Sequence, residues 1–287
     1  MTRLAYYPGC SLHGTAREMD SSFKASAKAL DVELAEIPGW ECCGNTAAHS
    51  ASRLLATALP ANELAKVGRD MMLDSVVVPC AACYSRFQVT KAELDHDDQL
   101  RRETELVVGR AIPTDIDVLN LVDVYYDAVG LDALRAKVKH PLGGIKIAAY
   151  YGCLLTRPPK MTLAEDPEYP TRMDDVLKAL GAEPVAWGYK TDCCGASLAL
   201  CEQDVVVELT RRILANARDC GAEAIACACP LCQVNLDSRQ ADIRKTDPAW
   251  HDVPIVYLSQ FVGRAIGVSD SELGLKKHMV PVEAVLA

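Results

Sequence analysis

The chain has 287 residues, half of them apolar and 24% charged, enough to bury ordinary globular cores and, at ~150 residues per domain, to form two domains. Its 30 Lys and Arg against 39 Asp and Glu leave a formal charge of -9, which repels phosphate backbones and argues against nucleic acid as a partner. No apolar run approaches the ~18 uncharged residues of a membrane span, and the N-terminus lacks the basic-then-apolar pattern of a secretory signal, so the expectation is a cytoplasmic protein without a span.

In chain order, Leu4 to Tyr7 read as a strand running into Gly9-Cys10, and Ser22 to Leu30 as a helix before a second strand at Val32 to Ile37. Cys42-Cys43-Gly44 then leads into a helix over about Ala51 to Leu59. Ser75 to Val78 form a strand entering Cys80-Ala81-Ala82-Cys83, Lys91 to Glu105 read as one solvated helix, and Asp115 to Leu119 precede a close at Gly130. Pro141, Gly143 and Gly144 interrupt the pattern and mark a boundary near Lys139 to Gly144, dividing the chain into residues 1–140 and 141–287.

The second part repeats the first. Ala148 to Tyr151 lead into Gly152-Cys153, and a proline-rich loop over Arg157 to Pro170 has no counterpart of equal length in the first half. A helix is expected over Asp175 to Leu180, a strand at Pro184 to Trp187, then Cys193-Cys194-Gly195 and a helix over Asp204 to Ala217. Ala224 to Ala226 enter Cys229-Pro230-Leu231-Cys232, Asp252 to Val256 follow, and the copy closes at Gly267. The tail after Gly274 carries no motif. Strands alternating with helices predict an α/β fold: two duplicated domains, each a small, mainly parallel sheet with flanking helices. Cys10, Cys80, Cys153 and Cys229 each follow a strand, so they converge on the carboxyl edge where such sheets bind ligands. Helix N-termini after the Cys-Cys-Gly loops favour anionic sulfur, and Gly44 and Gly195 permit close backbone approach.

Cysteine is the outlier, 13 of 287, and clusters of it in a chain without a secretory signal point to metal or redox chemistry. Each half offers five: Cys10, Cys42, Cys43, Cys80 and Cys83, then Cys153, Cys193, Cys194, Cys229 and Cys232. The gaps correspond, with 31 and 39 residues before the Cys-Cys pairs and 36 and 34 between those pairs and the CxxC motifs. Thiolates select zinc, copper(I) or iron-sulfur clusters. A structural zinc and a cubane cluster each take four thiolates, so five fit better around an extended polynuclear cluster, with a zinc-stabilised scaffold as the alternative. Cys201, Cys220 and Cys227 lack partners in the repeat and are expected to be buried free thiols, with Cys227 near enough to Cys229 to touch the second site.

Two copies of this cysteine pattern resemble the cysteine-rich CCG domain, and their pairing in a chain of this length resembles the B subunit of heterodisulfide reductase. The resemblance implies two non-cubane [4Fe–4S] clusters, one held by each set of five cysteines. It implies reduction, or formation, of a small-molecule disulfide between them, with electrons from two partners of the heterodisulfide reductase type, a ferredoxin-like C subunit and a flavin-containing A subunit. Reducing a disulfide takes two electrons, and two facing one-electron centres can supply one to each sulfur. The competing reading is an electron-transfer protein of an organic-acid or sulfur-oxidising complex with no disulfide chemistry of its own. The chain has no G-x-G-x-x-G fingerprint and no ferredoxin-type cysteine run. His13 and His49 are the candidate proton donors, Tyr6, Tyr7, Tyr150 and Tyr151 are expected to pack beside the strand ends, and Arg157 and Lys160 are expected at the solvated surface rather than on an anionic substrate.

Overall fold

A computed structural model describes residues 2–45 and 47–286. Strands β1 (Thr2–Tyr6), β2 (Val32–Glu36), β3 (Ser75–Val77) and β4 (Asp117–Leu119) make a sheet in the order β2-β1-β3-β4, and every pair is parallel. Strands β5 (Lys146–Tyr150), β6 (Glu183–Pro184), β7 (Ala224–Cys227) and β8 (Ile255–Tyr257) make a second, in the same order β6-β5-β7-β8 and again all parallel. The central strands read as continuous apolar runs because helices cover both faces; Ala148, Ala149 and Tyr150 of β5 are fully buried.

The order fixes the site. Each chain segment crosses from its first strand to one neighbour and then returns to the other side, so the connection reverses between β1 and β3, and between β5 and β7. Such switch points open a crevice at the carboxyl ends of the two strands. Cys10 follows β1 and Cys80 follows β3, in register through Tyr6 opposite Val77; Cys153 follows β5 and Cys229 follows β7, in register through Tyr150 opposite Cys227.

The halves pack helix against helix across their junction. The Arg17–Ala29 helix packs against Leu258–Ile266 of the second half, where the Ser22 and Ser259 hydroxyls meet at 2.7 Å. Reciprocally, the Arg172–Ala179 helix packs on the Leu131–Lys137 helix of the first, and the Arg172 guanidinium lies 4.9 Å over the Tyr126 ring. One buried apolar core therefore runs through both halves.

Two local expectations change. The charged stretch Lys91 to Glu105 is two helices, Ala81–His96 and Asp98–Val108, because the Asp97 carboxylate caps the second by accepting the Leu100 N–H at 2.9 Å. The helix after the first Cys-Cys-Gly is broken at Ser52, whose extended backbone and hydroxyl cap start Arg53–Ala65. The tail, which carries no sequence motif, is docked: the Asp237 carboxylate accepts the N–H groups of Met279 and Val280 at 2.8 and 3.0 Å, and half-buried His278 sits between Gln233 and Gln260.

Candidate metal centre

The ten motif cysteines come together as a nearly continuous run of sulfur. Cys10 lies beside Cys42, Cys43 Sγ is 3.1 Å from Cys83 Sγ, and Cys83 contacts Cys80. Cys80 in turn lies near Cys229 of the other half. From Cys229 the contacts continue to Cys232, whose Sγ is 3.5 Å from Cys194 Sγ, while Cys153 pairs with Cys193. The CxxC cysteines are buried, whereas Cys10, Cys42 and Cys193 are exposed, so the run opens to solvent along its Cys-Cys-Gly side.

The two halves build this run with the same devices. In each Cys-Cys-Gly loop the glycine N–H points at the first cysteine sulfur, Gly44 to Cys42 at 3.5 Å and Gly195 to Cys193 at 3.3 Å. A Cβ on Gly44, at φ 73°, would stand 2.6 Å from the Ala48 Cβ. A Cβ on Gly152, at φ 66°, would stand 3.0 Å from Cys232 Sγ, so the strand-end loop comes this close to the sulfur only with glycine there.

The paired tyrosines divide two tasks between them. Tyr7 donates to the carbonyl of Glu41 at 2.8 Å and Tyr150 to that of Asp192 at 2.6 Å, each carbonyl immediately preceding a Cys-Cys pair. The other member binds an aspartate on the first long helix of its half: Tyr6 donates to Asp20 at 2.7 Å, and Tyr151 to Asp174 at 3.2 Å. A lysine completes each group. Lys24 reaches Asp20 at 3.0 Å from a solvated position, while Lys190 makes a buried ion pair with Asp174 at 2.6 Å and donates to the Pro170 carbonyl. The extra Pro8 of the first half shifts the order, so Tyr7 corresponds to Tyr150 rather than Tyr151. Sequence reading missed these groups, although Met19-Asp20 and Met173-Asp174 are a repeat signal that points to them.

The electrostatics suit soft cation chemistry. The Cys83 thiol beside it and the Asn45 N–H pull Cys43 down to about 7, against the cost of burial. The Cys153 thiol and the Gly195 N–H bring Cys193 to about 6. Cys229 is lowered by Cys232 and Cys80, while Cys80 is raised, first by Cys229. Thiolate-prone sulfurs alternating with protonated neighbours form a donor set ready to lose its protons to a metal. Among the described residues no three or more His, Cys, Asp or Glu are disposed to hold a single metal ion. The donor set itself, ten thiols, fits a metal-sulfur group.

The other candidates fall outside this run. His13 pairs with Glu36 at 3.4 Å and packs edge-on to Trp40, and His49 is exposed on the short Ala48–Ala51 helix. Arg157 is held by Glu168 at 2.6 Å and the Thr191 carbonyl at 2.8 Å, and Lys160 is exposed. Cys201 and Cys220 are exposed instead of buried, because one sits on a surface turn and the other at the end of the Gln203–Asp219 helix. Cys227 is buried at the end of β7, where it contacts Cys232.

The cysteine-rich domain family, CCG, matches residues 4–88 and 147–237. The chain is 33% identical to the membrane anchor subunit of the 8-methylmenaquinol:fumarate reductase of Wolinella succinogenes, over 96% of each chain. It is 26% identical to the B subunit of the ferredoxin/F420H2-dependent CoB-CoM heterodisulfide reductase of Methanosarcina acetivorans, over 98% of this chain and 94% of that one. A crystal structure of a hypothetical protein from Helicobacter pylori superposes with a TM-score of 0.76 at 13% identity, covering 97% of this chain and 52% of that chain, which shows a common fold. Among the described residues no helix is long and apolar enough to cross a membrane.

Proposed function

The chain belongs to the cysteine-rich CCG-domain family, with heterodisulfide reductase B subunits among its relatives, and on that premise we propose that it is an oxidoreductase component that cleaves or forms a small-molecule disulfide. In this reading residues 1–140 and 141–287 are the two domains. Cys10, Cys42, Cys43, Cys80 and Cys83 hold one non-cubane [4Fe–4S] cluster, and Cys153, Cys193, Cys194, Cys229 and Cys232 hold the other. When bound, the clusters supply two one-electron donors side by side.

The observation that carries the proposal is the nearness of Cys80 to Cys229, which brings the inner ends of the two sulfur sets close together. The chain's own residues do the rest. Tyr7 and Tyr150 brace the Cys-Cys loops, the Gly44 and Gly195 N–H groups direct partial positive charge at sulfur, and the buried CxxC cysteines exclude water from the middle of the run. Reduction consumes two electrons and two protons per disulfide and releases two thiols. With no electron-entry motif in the chain, the electrons come from partner proteins, a ferredoxin-like C subunit and a flavin-bearing A subunit, in a cytoplasmic complex.

The activity named for the Wolinella succinogenes relative, on 8-methylmenaquinol and fumarate, favours a second reading, an electron-transfer protein without disulfide chemistry. Turnover separates the two. Protein purified anaerobically and reduced chemically is expected to cleave a disulfide with two thiols formed per two electrons consumed. Reversible reduction of the clusters with no cleavage of any disulfide tried overturns the proposal in favour of the electron-transfer protein.

A further inference from the structure

The two halves line a half-open cavity of ≈ 280 Å³, near the low end of the ~300–1,000 Å³ typical of small-molecule sites. No motif cysteine lines it, but four of its lining residues stand within three positions of one in the sequence: Tyr84 follows Cys83, and Tyr151, Leu155 and Thr156 flank Cys153. The loop over Arg157 to Pro170 closes one side and is pinned to the first half where the Tyr84 hydroxyl donates to the Thr162 carbonyl at 3.3 Å. Leu119, Val122, Leu155 and Leu163 give it an apolar lining.

Two features of the walls select an occupant. The Thr156 hydroxyl, on a residue only 3% exposed, has no hydrogen-bond partner among the described residues. A buried hydroxyl left unpaired is costly, which marks a place for a ligand's polar group. The charged wall carries Asp123, Asp127, Glu165 and Asp166 against Arg172 alone, a net of three negative charges. Arg172 is itself occupied, with Asp123 at 3.4 Å, Asp127, and Glu165 at 3.5 Å converging on its guanidinium. Among the described lining residues no cationic group is left over to neutralise an anionic ligand, whereas an ammonium group meets a wall of net negative charge.

We propose that this cavity is the substrate pocket and that it takes a compact thiol or disulfide with an apolar body and a neutral or cationic polar end, and rejects carboxylated or phosphorylated ones. The inference rests on the sulfur chemistry proposed above. The loop peculiar to the second half supplies the acids Glu165 and Asp166, so it sets the charge that the substrate may carry.

The test separates the pocket from the chemistry. Binding of three inert chains of matched length, 1,6-diaminohexane, 1,6-hexanediol and adipate, is measured on the anaerobically purified full chain by saturation-transfer NMR and calorimetry. The diamine is expected to bind at least about tenfold more tightly than adipate, with the margin shrinking as salt is raised. Asp127→Asn should narrow that margin several-fold, and Thr156→Val should weaken the diol. Adipate binding as well as the diamine, or a margin that neither substitution moves, overturns the pocket. Disulfide cleavage is followed in parallel with cystamine and 3,3′-dithiodipropionate. Preferential cleavage of the dianionic disulfide overturns the pocket while leaving the sulfur chemistry standing. Charge-selective binding with no cleavage of either removes the sulfur chemistry and, with it, the pocket's role as a substrate site.

Discussion

Cys80 and Cys229, the first cysteines of the two CxxC motifs, lie near enough to shift one another's titration although they stand in different copies of the repeat. Each follows the inner strand of a switch point, β3 or β7, and each caps the helix carrying the rest of its motif. A doubled gene alone would give two separate sites; helix packing across the junction brings them together.

The ligand assignment predicts metal content. Protein purified anaerobically should hold roughly eight irons and eight acid-labile sulfides, since two four-iron clusters are proposed. Cys193→Ser should lower iron by about half through loss of one cluster, whereas Cys220→Ser, at an exposed helix end, should leave it unchanged. Zinc without iron, or equal loss in the two variants, would show the assignment to be wrong.

Gly152 is constrained both by φ 66° and by the sulfur 3.0 Å from its missing Cβ. Gly152→Ala is expected to cost about 1–2 kcal/mol from the left-handed backbone alone. It should also disturb the electronic spectrum of the second cluster more than that of the first. Denaturant unfolding checks the stability change, and an unaltered midpoint with an unaltered spectrum would contradict it.

The Lys190–Asp174 pair is buried on both sides, with side-chain exposures of 8% and 9%. Removing one partner strands a charge, so Lys190→Met should destabilise by about 3–5 kcal/mol, and adding Asp174→Leu should recover much of it. Its counterpart, Lys24 on Asp20, is solvated; Lys24→Met should cost under about 1 kcal/mol. Equal losses at Lys24 and Lys190 would refute the distinction.

Burial lifts the Asp123 carboxyl from 3.8 to about 6, against the opposing pull of the Asn120 N–H and Arg172. The folded protein therefore binds a proton there that the unfolded chain has already released. The resulting stabilisation is complete below about pH 4 and fades as pH rises through 6, a difference of about 3 kcal/mol. Asp123→Asn keeps an acceptor for the Asn120 N–H and should flatten this decline. Urea midpoints from pH 4 to 7 that fall equally in both proteins would show that Asp123 is not its source.

Much of this protein was legible in the residues themselves. Short apolar runs alternating with amphipathic segments announced the parallel sheets, and cysteines at matched offsets after those runs had to emerge at the sheet edge, because strand and helix periodicity are local properties. Caps were harder: Asp97 splits one charged stretch into two helices through a single side-chain hydrogen bond. Tertiary structure alone decided that Tyr7 matches Tyr150, that Lys190 is buried where Lys24 is not, that the tail docks on Asp237, and that an acid-walled cavity lies between the copies. Each of these depends on how two similar halves pack against one another. A repeat specifies the content of each half, whereas the contacts across their junction come from surfaces that the repeat pattern does not encode.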